Sequence, residues 1–457
     1  MVRTLASVAE AVDGRLLGPD ASFGAVTTDT RKDVRGSLFV ALAGPHFDGN
    51  DYVEAAAVAG AAGALVSRPA DVSMSQVAVA DTRAAFAIMA RSWRRNFEIP
   101  LIAVTGSAGK TTVKSMIAAI LGSACKVCAT EGNLNNDVGV PITLMRLARE
   151  HEAAVLELGA NHAGEIDFLA SLVEPTVAVI TNAGAAHLEG FGSIAGVAAA
   201  KGELLDHLTS RSTAVLNADD AYFDEWCGRA RARGARIASF GFASHADCTV
   251  VGEAAPGGSG SLFRMRLPDA TEVDIDLPLP GLHNVRNSLA AAAACFSIGV
   301  TAAQIATGLA RVEAVRGRLV AVPGFGGASI IDDSYNANPT SVRAALDHLA
   351  RLGGRRVFAF GDMGELGPDA AAMHHDIGVY AVGRCDALVT IGPLAAQAAD
   401  PFGDAATRCS DIEAAASAIA PLLGPATTVL VKASRSMGLE RLVQKLRAPV
   451  TQEAPPC

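Results

Sequence analysis

The stretch Leu101–Met116, LIAVTGSAGKTTVKSM, carries the reading on which the fold turns. Its apolar opening, Leu101 to Val104, has the length and composition of a buried strand. Thr105-Gly106-Ser107-Ala108-Gly109-Lys110-Thr111-Thr112 follows, and then Val113, Met116, Ile117, Ile120 and Leu121 recur at the spacing of one helix face. Strand, glycine loop and helix start in that order form a phosphate cradle. Gly106 and Gly109 let backbone N–H groups approach anionic oxygens, and the helix N-terminus adds its dipole. Lys110 supplies a point charge, and Thr111 offers a hydroxyl to Mg2+. The loop is a variant of G-x-x-x-x-G-K-[ST]: Val104 occupies the position of the first glycine, and a glycine stands instead at Gly106. A glycine turn with an unrelated lysine is the competing explanation, and the order of strand, loop and helix argues against it. The chain is expected to bind a nucleoside triphosphate.

Composition narrows the remaining classes. The 457 residues are enough for about two to four domains with ample core. The 38 basic residues against 47 acidic ones give a net charge of -9 with no long basic run, which speaks against nucleic acid as a partner. No apolar stretch reaches the roughly 20 residues of a membrane-spanning helix. The N-terminal MVRTLASVAEAVDGR carries charges too early and too often for a signal peptide. A soluble, cytoplasmic protein without membrane insertion is expected. Among eight cysteines only Cys125 and Cys128 form a C-x-x-C, with no second pair at zinc-site spacing, so reduced structural thiols are expected.

The chain divides into three parts, 1–82, 83–314 and 315–457. In the first, short strand patterns (Leu38–Leu42, Ala64–Val66, Val77–Val79) accompany an alanine-rich helix over Tyr52–Ala62, a small α/β domain. A helix over Thr82–Asn96 leads into the loop strand. Further strands at Ala153–Leu158, Val177–Thr181, Thr213–Asn217 and Arg236–Phe240 alternate with helices, which predicts a parallel sheet. A glycine-rich stretch, Ala254–Ser261, precedes a hairpin of Leu262–Leu267 with Glu272–Leu277, and Val312–Gly317 reads as a linker. Strands at Ser329–Asp332, Arg356–Gly361, Ala387–Ile391 and Thr427–Val431 predict a second open α/β sheet. The proline-containing tail Ala448–Cys457 reads as frayed.

Open parallel sheets bind ligands beyond the carboxyl ends of their strands. In the central part those ends carry Lys110, Glu157 and the segment Thr181–His187. Mg2+ takes oxygen ligands and keeps several waters, so Glu157 is the better direct ligand, and His187 gains a metal-site reading from its context.

More of the chain then falls into place. LELG at Leu156–Gly159, AHLEGFG at Ala186–Gly192, AAKGE at Ala199–Glu203 and HNVRNSLAA at His283–Ala291 accompany the phosphate loop. The pair Gly317-Arg318, then DDSYNANP at Asp332–Pro339 and KASRSM at Lys432–Met437, follow. Together they resemble the Mur ligases, ATP-dependent amide-forming enzymes of peptidoglycan synthesis, over nearly the whole length. TEGNLNNDVGVP at Thr130–Pro141, DDSYNANP and GDMGELG at Gly361–Gly367 point to the branch that adds D-alanyl-D-alanine (D-Ala-D-Ala) to UDP-N-acetylmuramoyl-tripeptide (UDP-MurNAc-tripeptide). No DNPR stands in the C-terminal part, where the diaminopimelate-adding relative carries it.

The resemblance implies a three-domain α/β architecture: a small N-terminal α/β domain, a central P-loop ATPase with a parallel sheet, and a C-terminal Rossmann-like domain. It implies ATP and Mg2+ as cofactors, an acyl-phosphate intermediate and a monomer. Lys110 would serve the β- and γ-phosphates, Thr111 and Glu157 the first Mg2+, His187 a second, and Lys201, if carbamylated, a bridge to metal. Asn284 and Asn287 would contact adenine, with helix capping by Asn284 as the alternative. Arg318 would hold phosphate and Asp333 ribose. Tyr335, Asn336 and Asn338 would line the same face, with a strand-like segment pointing both asparagines together. Asp29, Thr30, Arg31, Ser37, Asp48 and Gly49 would form the uridine-nucleotide region, with Asn50 where histidine is frequent. Asn135, Asn136, Asp362 and Glu365 would meet the amine acceptor, Asp362 or Glu365 taking its ammonium, while turn chemistry explains each singly. His374 and His375 read as helical surface or core. Ala433 replaces a usual glycine and would cost on the order of 1 kcal/mol if its φ were positive. A sibling ligase with another amine, and a nucleotide-controlled binding protein without catalysis, remain the alternatives.

Overall fold

The computed structural model describes residues 3–257 and 260–448. The expected fraying of the tail concerns residues 449–457, which lie outside the described residues, as do residues 258 and 259 of the glycine-rich stretch.

Leu101–Thr105 is buried at all five positions because it runs through the middle of a six-stranded sheet. The spatial order is Val127–Ala129, Ala153–Glu157, Leu101–Thr105, Val177–Ile180, Thr213–Asn217 and Arg236–Phe240. Every neighbouring pair is parallel. Strands covered on both faces need apolar residues at consecutive positions, which is why they read as continuous runs. The chain builds outward first on one side of Leu101–Thr105 and then on the other, so the direction switches beside this strand, where a crevice opens. Behind the sheet lies a three-stranded antiparallel sheet, Thr249–Gly257, Gly260–Arg266 and Glu272–Leu277. The sequence reading found only its second and third strands, because the glycines hid the first. That first strand also changes register between Val251 and Ala255.

The N-terminal sheet is five-stranded, in the order Arg15–Leu17, Gln76–Ala78, Gly63–Val66, Ser37–Val40 and Ala25–Thr27. Its two unanticipated strands span three residues each and are too short for a periodicity to show. The helix expected over Tyr52–Ala62 is shorter: a 3-10 turn, Gly49–Tyr52, starts on the carboxylate of Asp48, and the helix proper is Val53–Val58. The helix Thr82–Arg94 begins where Asp81 accepts from the Arg83 and Ala84 amides. It buries Ala85, Phe86, Met89 and Ala90 in one apolar core that runs from Leu5, Val8 and Leu38 to Leu101 and Leu156. The first domain and one face of the central sheet are therefore packed as a single interior.

The C-terminal sheet has six strands in the order Val320–Pro323, Ser329–Asp332, Thr427–Lys432, Arg355–Gly361, Ala387–Ile391 and Ala406–Cys409. The first pair is antiparallel and the rest are parallel. Its two faces bury cores of their own, separate from those of the central sheet. Among the described residues, no helix is long and apolar enough to cross a membrane.

Candidate active site

The phosphate loop is held by side chains that its own sequence does not reveal. Gly106 has φ +143° and lies so close to the next strand that a Cβ there would sit 2.0 Å from Thr181 Oγ1. Gly109 has φ +83°, and a Cβ there would lie 2.5 Å from Asn287 Oδ1. Asn182 Oδ1 accepts from the Ala108 amide at 3.0 Å, and Ser107 Oγ accepts from the Gly184 amide at 2.9 Å. Thr105, the last strand residue, is fully buried and donates to Leu158 O at 2.9 Å. The helix Lys110–Gly122 then presents Lys110, Thr111 and Thr112 at its first turn. Lys110 Nζ donates to Gly106 O at 2.7 Å, and burial pushes its pKa down, with Glu157 opposing the shift. A cation short of counter-charge is what a triphosphate would meet there.

A cavity of about 200 Å³ opens beside the loop, between the central and C-terminal sheets. The loop residues from Ser107 to Thr112 line it, together with Asn284, Asn287, Arg318, Asp333, Tyr335, Asn336 and Asn338. Arg318 Nη2 donates to Thr111 Oγ1 at 2.9 Å, across the two domains. Its guanidinium also lies 4.6 Å from the Tyr335 ring centre, and Arg435 covers the same ring at 5.5 Å. Asp333 is paired with Lys432 Nζ at 2.7 Å and accepts from the Leu319 amide at 3.2 Å.

Several residues stand differently from expectation. Asn336 and Asn338 are not on a strand-like segment: Asn336 Oδ1 accepts from the adjacent Ala337 amide, and Asn338 is the N-cap of the helix Pro339–Ala350. Asn284 is not a cap, because Gly281 precedes the helix Leu282–Phe296. Its Nδ2 instead donates to Pro280 O at 2.8 Å, and Asn287 Nδ2 donates to Asn284 Oδ1 at 3.3 Å. Ala433 is not among the described residues with positive φ, so the anticipated strain is absent.

Glu157 ends its strand beside the loop. Its amide donates to Thr130 Oγ1 at 3.0 Å, and Asn135 Nδ2 donates to its Oε1 at 2.8 Å. Glu157 Oε2 is buried without a hydrogen-bond partner. A carboxylate oxygen left bare within the electrostatic reach of Lys110, at the strand end beside the phosphate loop, fits a divalent cation. Among the described residues, no group of three or more His, Cys, Asp or Glu stands at metal-holding distance. Phosphate oxygens and water would complete the coordination, as Mg2+ prefers.

His187 has φ 53° and pairs through Nδ1 with Glu365, which has φ 60° and comes from the C-terminal domain. Burial lowers the His187 pKa, and Glu365 works against that. Lys201 is 1% exposed, donates to Ala160 O at 3.2 Å and lies over the Phe191 ring. Burial, reinforced by Lys110, brings its pKa down to about 7.

The amine-acceptor candidates are mostly engaged elsewhere. Asn135 holds Glu157, and Asn136 Oδ1 accepts from the Gly139 amide at 2.9 Å. Asp362 Oδ1 accepts from the Ala395 amide at 2.7 Å, so it is turned into its own domain. Glu365 alone faces the central domain. His374 is buried, as expected of a core histidine, and its Nε2 accepts from the Met363 amide at 2.8 Å. His375 is exposed, as a surface histidine should be.

In the first domain, Asp29 holds Arg31 through both carboxylate oxygens at 2.8 and 3.0 Å, with the partly buried Thr30 between them. Ser37 is buried at a strand start. A Cβ on Gly49 would lie 2.6 Å from Leu42 N. Asn50 is fully occupied: it reaches Asp48 Oδ1 and Ser67 Oγ through Nδ2, and its Oδ1 accepts from the Ser67 and Arg68 amides. Cys125 and Cys128 are free thiols.

Sequence reading assigned no role to Lys114, Asn182, Lys432 or Arg435. Lys114 stands one helical turn past Lys110, and Lys432 ends a strand; these spacings were the available signals.

The chain matches two family models, the Mur ligase middle domain over residues 104–295 and the Mur ligase glutamate ligase domain over residues 317–435. It is 42% identical to the UDP-N-acetylmuramoyl-tripeptide--D-alanyl-D-alanine ligase of Escherichia coli K12, over 97% of this chain and 98% of that one. The ligase of the same name from Bacillus subtilis is 33% identical, over 97% and 98%. A crystal structure of MurF from Acinetobacter baumannii superposes with a TM-score of 0.92 at 34% identity, covering 98% of this chain and 99% of that one. MurF from Thermotoga maritima in complex with ADP gives 0.83 at 26% identity, over 92% and 96%.

Proposed function

The chain belongs to the Mur ligase family, and from that premise we propose how its residues perform the reaction. It is an ATP-dependent ligase that adds D-Ala-D-Ala to UDP-MurNAc-tripeptide, giving the pentapeptide, ADP and phosphate. The observation that carries the assignment is identity of 42% sustained over 97% of the chain.

The tripeptide carboxylate attacks the γ-phosphorus of ATP, ADP leaves, and an acyl phosphate forms. The amine of D-Ala-D-Ala then attacks the acyl carbon, a proton is lost, and phosphate departs as the amide closes. Two anions must approach in the first step, so the protein's task is charge compensation and alignment. We assign Lys110 to the β- and γ-phosphates and the loop amides to their oxygens. Glu157 Oε2 and Thr111 Oγ1 are proposed as protein ligands of Mg2+, which screens the γ-phosphate when bound. Thr111 is free for that role once Arg318 leaves it. Asn287, packed on Gly109, is assigned to the loop wall, and Asn284 to the adenine side. Asp333, held by Lys432, is assigned to ribose. Glu365 is assigned to the incoming ammonium.

Lys201 suits carbamylation, because burial that lowers its pKa to about 7 leaves a substantial fraction of the amine neutral, the form that is nucleophilic. The divisions 1–82, 83–314 and 315–457 are proposed as the domains. The enzyme is proposed to act as a cytoplasmic monomer, as the resemblance to the Mur ligases implies.

The test is phosphate release from ATP with UDP-MurNAc-tripeptide, with and without D-Ala-D-Ala, followed by mass spectrometry. Release that needs both substrates and yields the pentapeptide is the expected result. Release with a different amine only would make this a sibling ligase. Nucleotide binding without release would make it a binding protein.

A further inference from the structure

Lys114 is a cation that the proposed reaction does not use, buried in the helix that starts at Lys110. It is 9% exposed, and its Nζ donates to Thr130 O at 3.0 Å. A buried ammonium is costly and needs a reason.

The reason lies in what Thr130 holds. Thr130 follows the strand Val127–Ala129, and its amide donates to Val155 O at 3.1 Å, beside Glu157. Its Oγ1 accepts from the Glu157 amide at 3.0 Å. Five residues on, Asn135 Nδ2 donates to Glu157 Oε1 at 2.8 Å, and Asn135 O accepts from the Gly159 amide at 2.8 Å. Segment 130–135 thus wraps the end of the strand and leaves only Glu157 Oε2 bare. Thr111 stands on the same helix as Lys114, one turn nearer its start. The two protein oxygens assigned to Mg2+ therefore sit on separate elements, and Lys114 ties them together through the Thr130 carbonyl.

We propose that Lys114 is a positioning residue: it braces the Glu157 carboxylate against the phosphate-loop helix and so sets the metal dependence of nucleotide binding. The proposal rests on the reading that Glu157 takes Mg2+. Lys114 itself touches neither substrate nor metal.

The test compares binding of a non-hydrolysable ATP analogue by calorimetry, with Mg2+ and with EDTA, in the full-length protein and four variants. Lys114→Met keeps the length and packing of the side chain without its charge. It is expected to lower affinity about tenfold with Mg2+ and to change it less than twofold in EDTA. Thr130→Val, which removes the acceptor of the Glu157 amide, is expected to reproduce that split, and Thr130→Ser, which keeps it, to bind as the parent does. This pair carries the test if Lys114→Met does not fold. Equal losses with and without Mg2+ in Lys114→Met would overturn the proposal, since the lysine would then meet phosphate directly. A fall in Tm with both affinities unchanged would also overturn it, leaving a packing role. Glu157→Gln separates the two readings. If it abolishes the Mg2+ effect while Lys114→Met and Thr130→Val keep the parent's affinity with Mg2+, the brace is wrong; if it has no effect, the metal assignment itself fails and takes the brace with it.

Discussion

Lys201 brings an amine into the interior with only one carbonyl, Ala160 O, to receive it. Its pKa of about 7 has a thermodynamic counterpart. Between about pH 7 and the ordinary lysine range near 10.4, the unfolded chain holds a proton that the folded chain has lost. Stability therefore rises with pH across that window, and below it the folded state bears the full cost of a buried cation. Lys201→Met is expected to raise Tm at neutral pH, with the gain shrinking as pH climbs toward 10, by thermal unfolding at a series of pH values. Lys110→Ala is expected to keep Tm within a few degrees while kcat/KM for ligation falls by about 10²–10³. Near-normal phosphate release would remove Lys110 from its assigned role. Lys110, Thr111 and Glu157 were readable in sequence, because a loop motif and a strand end announce them. The contacts that hold the site together were not. Asn135 sits on Glu157, Asn287 on Gly109 and Glu365 on His187, and these contacts come from residues far apart in the chain that only the fold brings together.

At the scale of elements, close approaches decide which residues are interchangeable. Ala433, fully buried after its strand, takes the space that a side chain on Gly361 would need: a Cβ there would lie 2.7 Å from Ala433 Cβ. Gly361→Ala is expected to destabilise by about 1–3 kcal/mol through overpacking, and the double variant Gly361→Ala/Ala433→Gly to recover much of that. Additive losses in denaturant unfolding would show that the two positions do not compete. Gly106→Ala is expected to weaken nucleotide binding and lower Tm together, because its Cβ would drive Thr181 off the loop. The central strands Leu101–Thr105, Ala153–Glu157 and Val177–Ile180 were legible because each carries an apolar run of four residues. Arg15–Leu17, Ala25–Thr27 and Val127–Ala129 were not, since three residues held in place by their neighbours carry no period of their own.

The whole molecule is unevenly joined. One apolar core runs from the N-terminal sheet through the helix Thr82–Arg94 into the central sheet. The C-terminal sheet has its own cores and meets the central domain largely through polar contacts, among them Arg318 with Thr111 and His187 with Glu365. Such an interface favours relative motion. Small-angle scattering is expected to give a larger radius of gyration for the Arg318→Ala/Glu365→Ala variant than for the parent without ligand. Equal radii would mean that other contacts hold the domains. The division into three α/β parts was legible from alternating strands and helices, whereas the merging of the first two interiors was not, because no sequence pattern marks which apolar faces meet.

The tether between the central and C-terminal domains has a further consequence. Tyr335 N donates to Gly317 O at 3.0 Å, and Asp333 Oδ1 receives the amide of Leu319, whose φ is 55°. The end of the tether is thus bolted to the C-terminal domain, while Val312 is buried in the central core, so a pivot between the domains would fall in residues 313–316. Arg318 becomes the tip of a rigid lever. A swing of that domain would withdraw it from Thr111, so the same stroke that would open the crevice would also free the hydroxyl proposed to meet the metal.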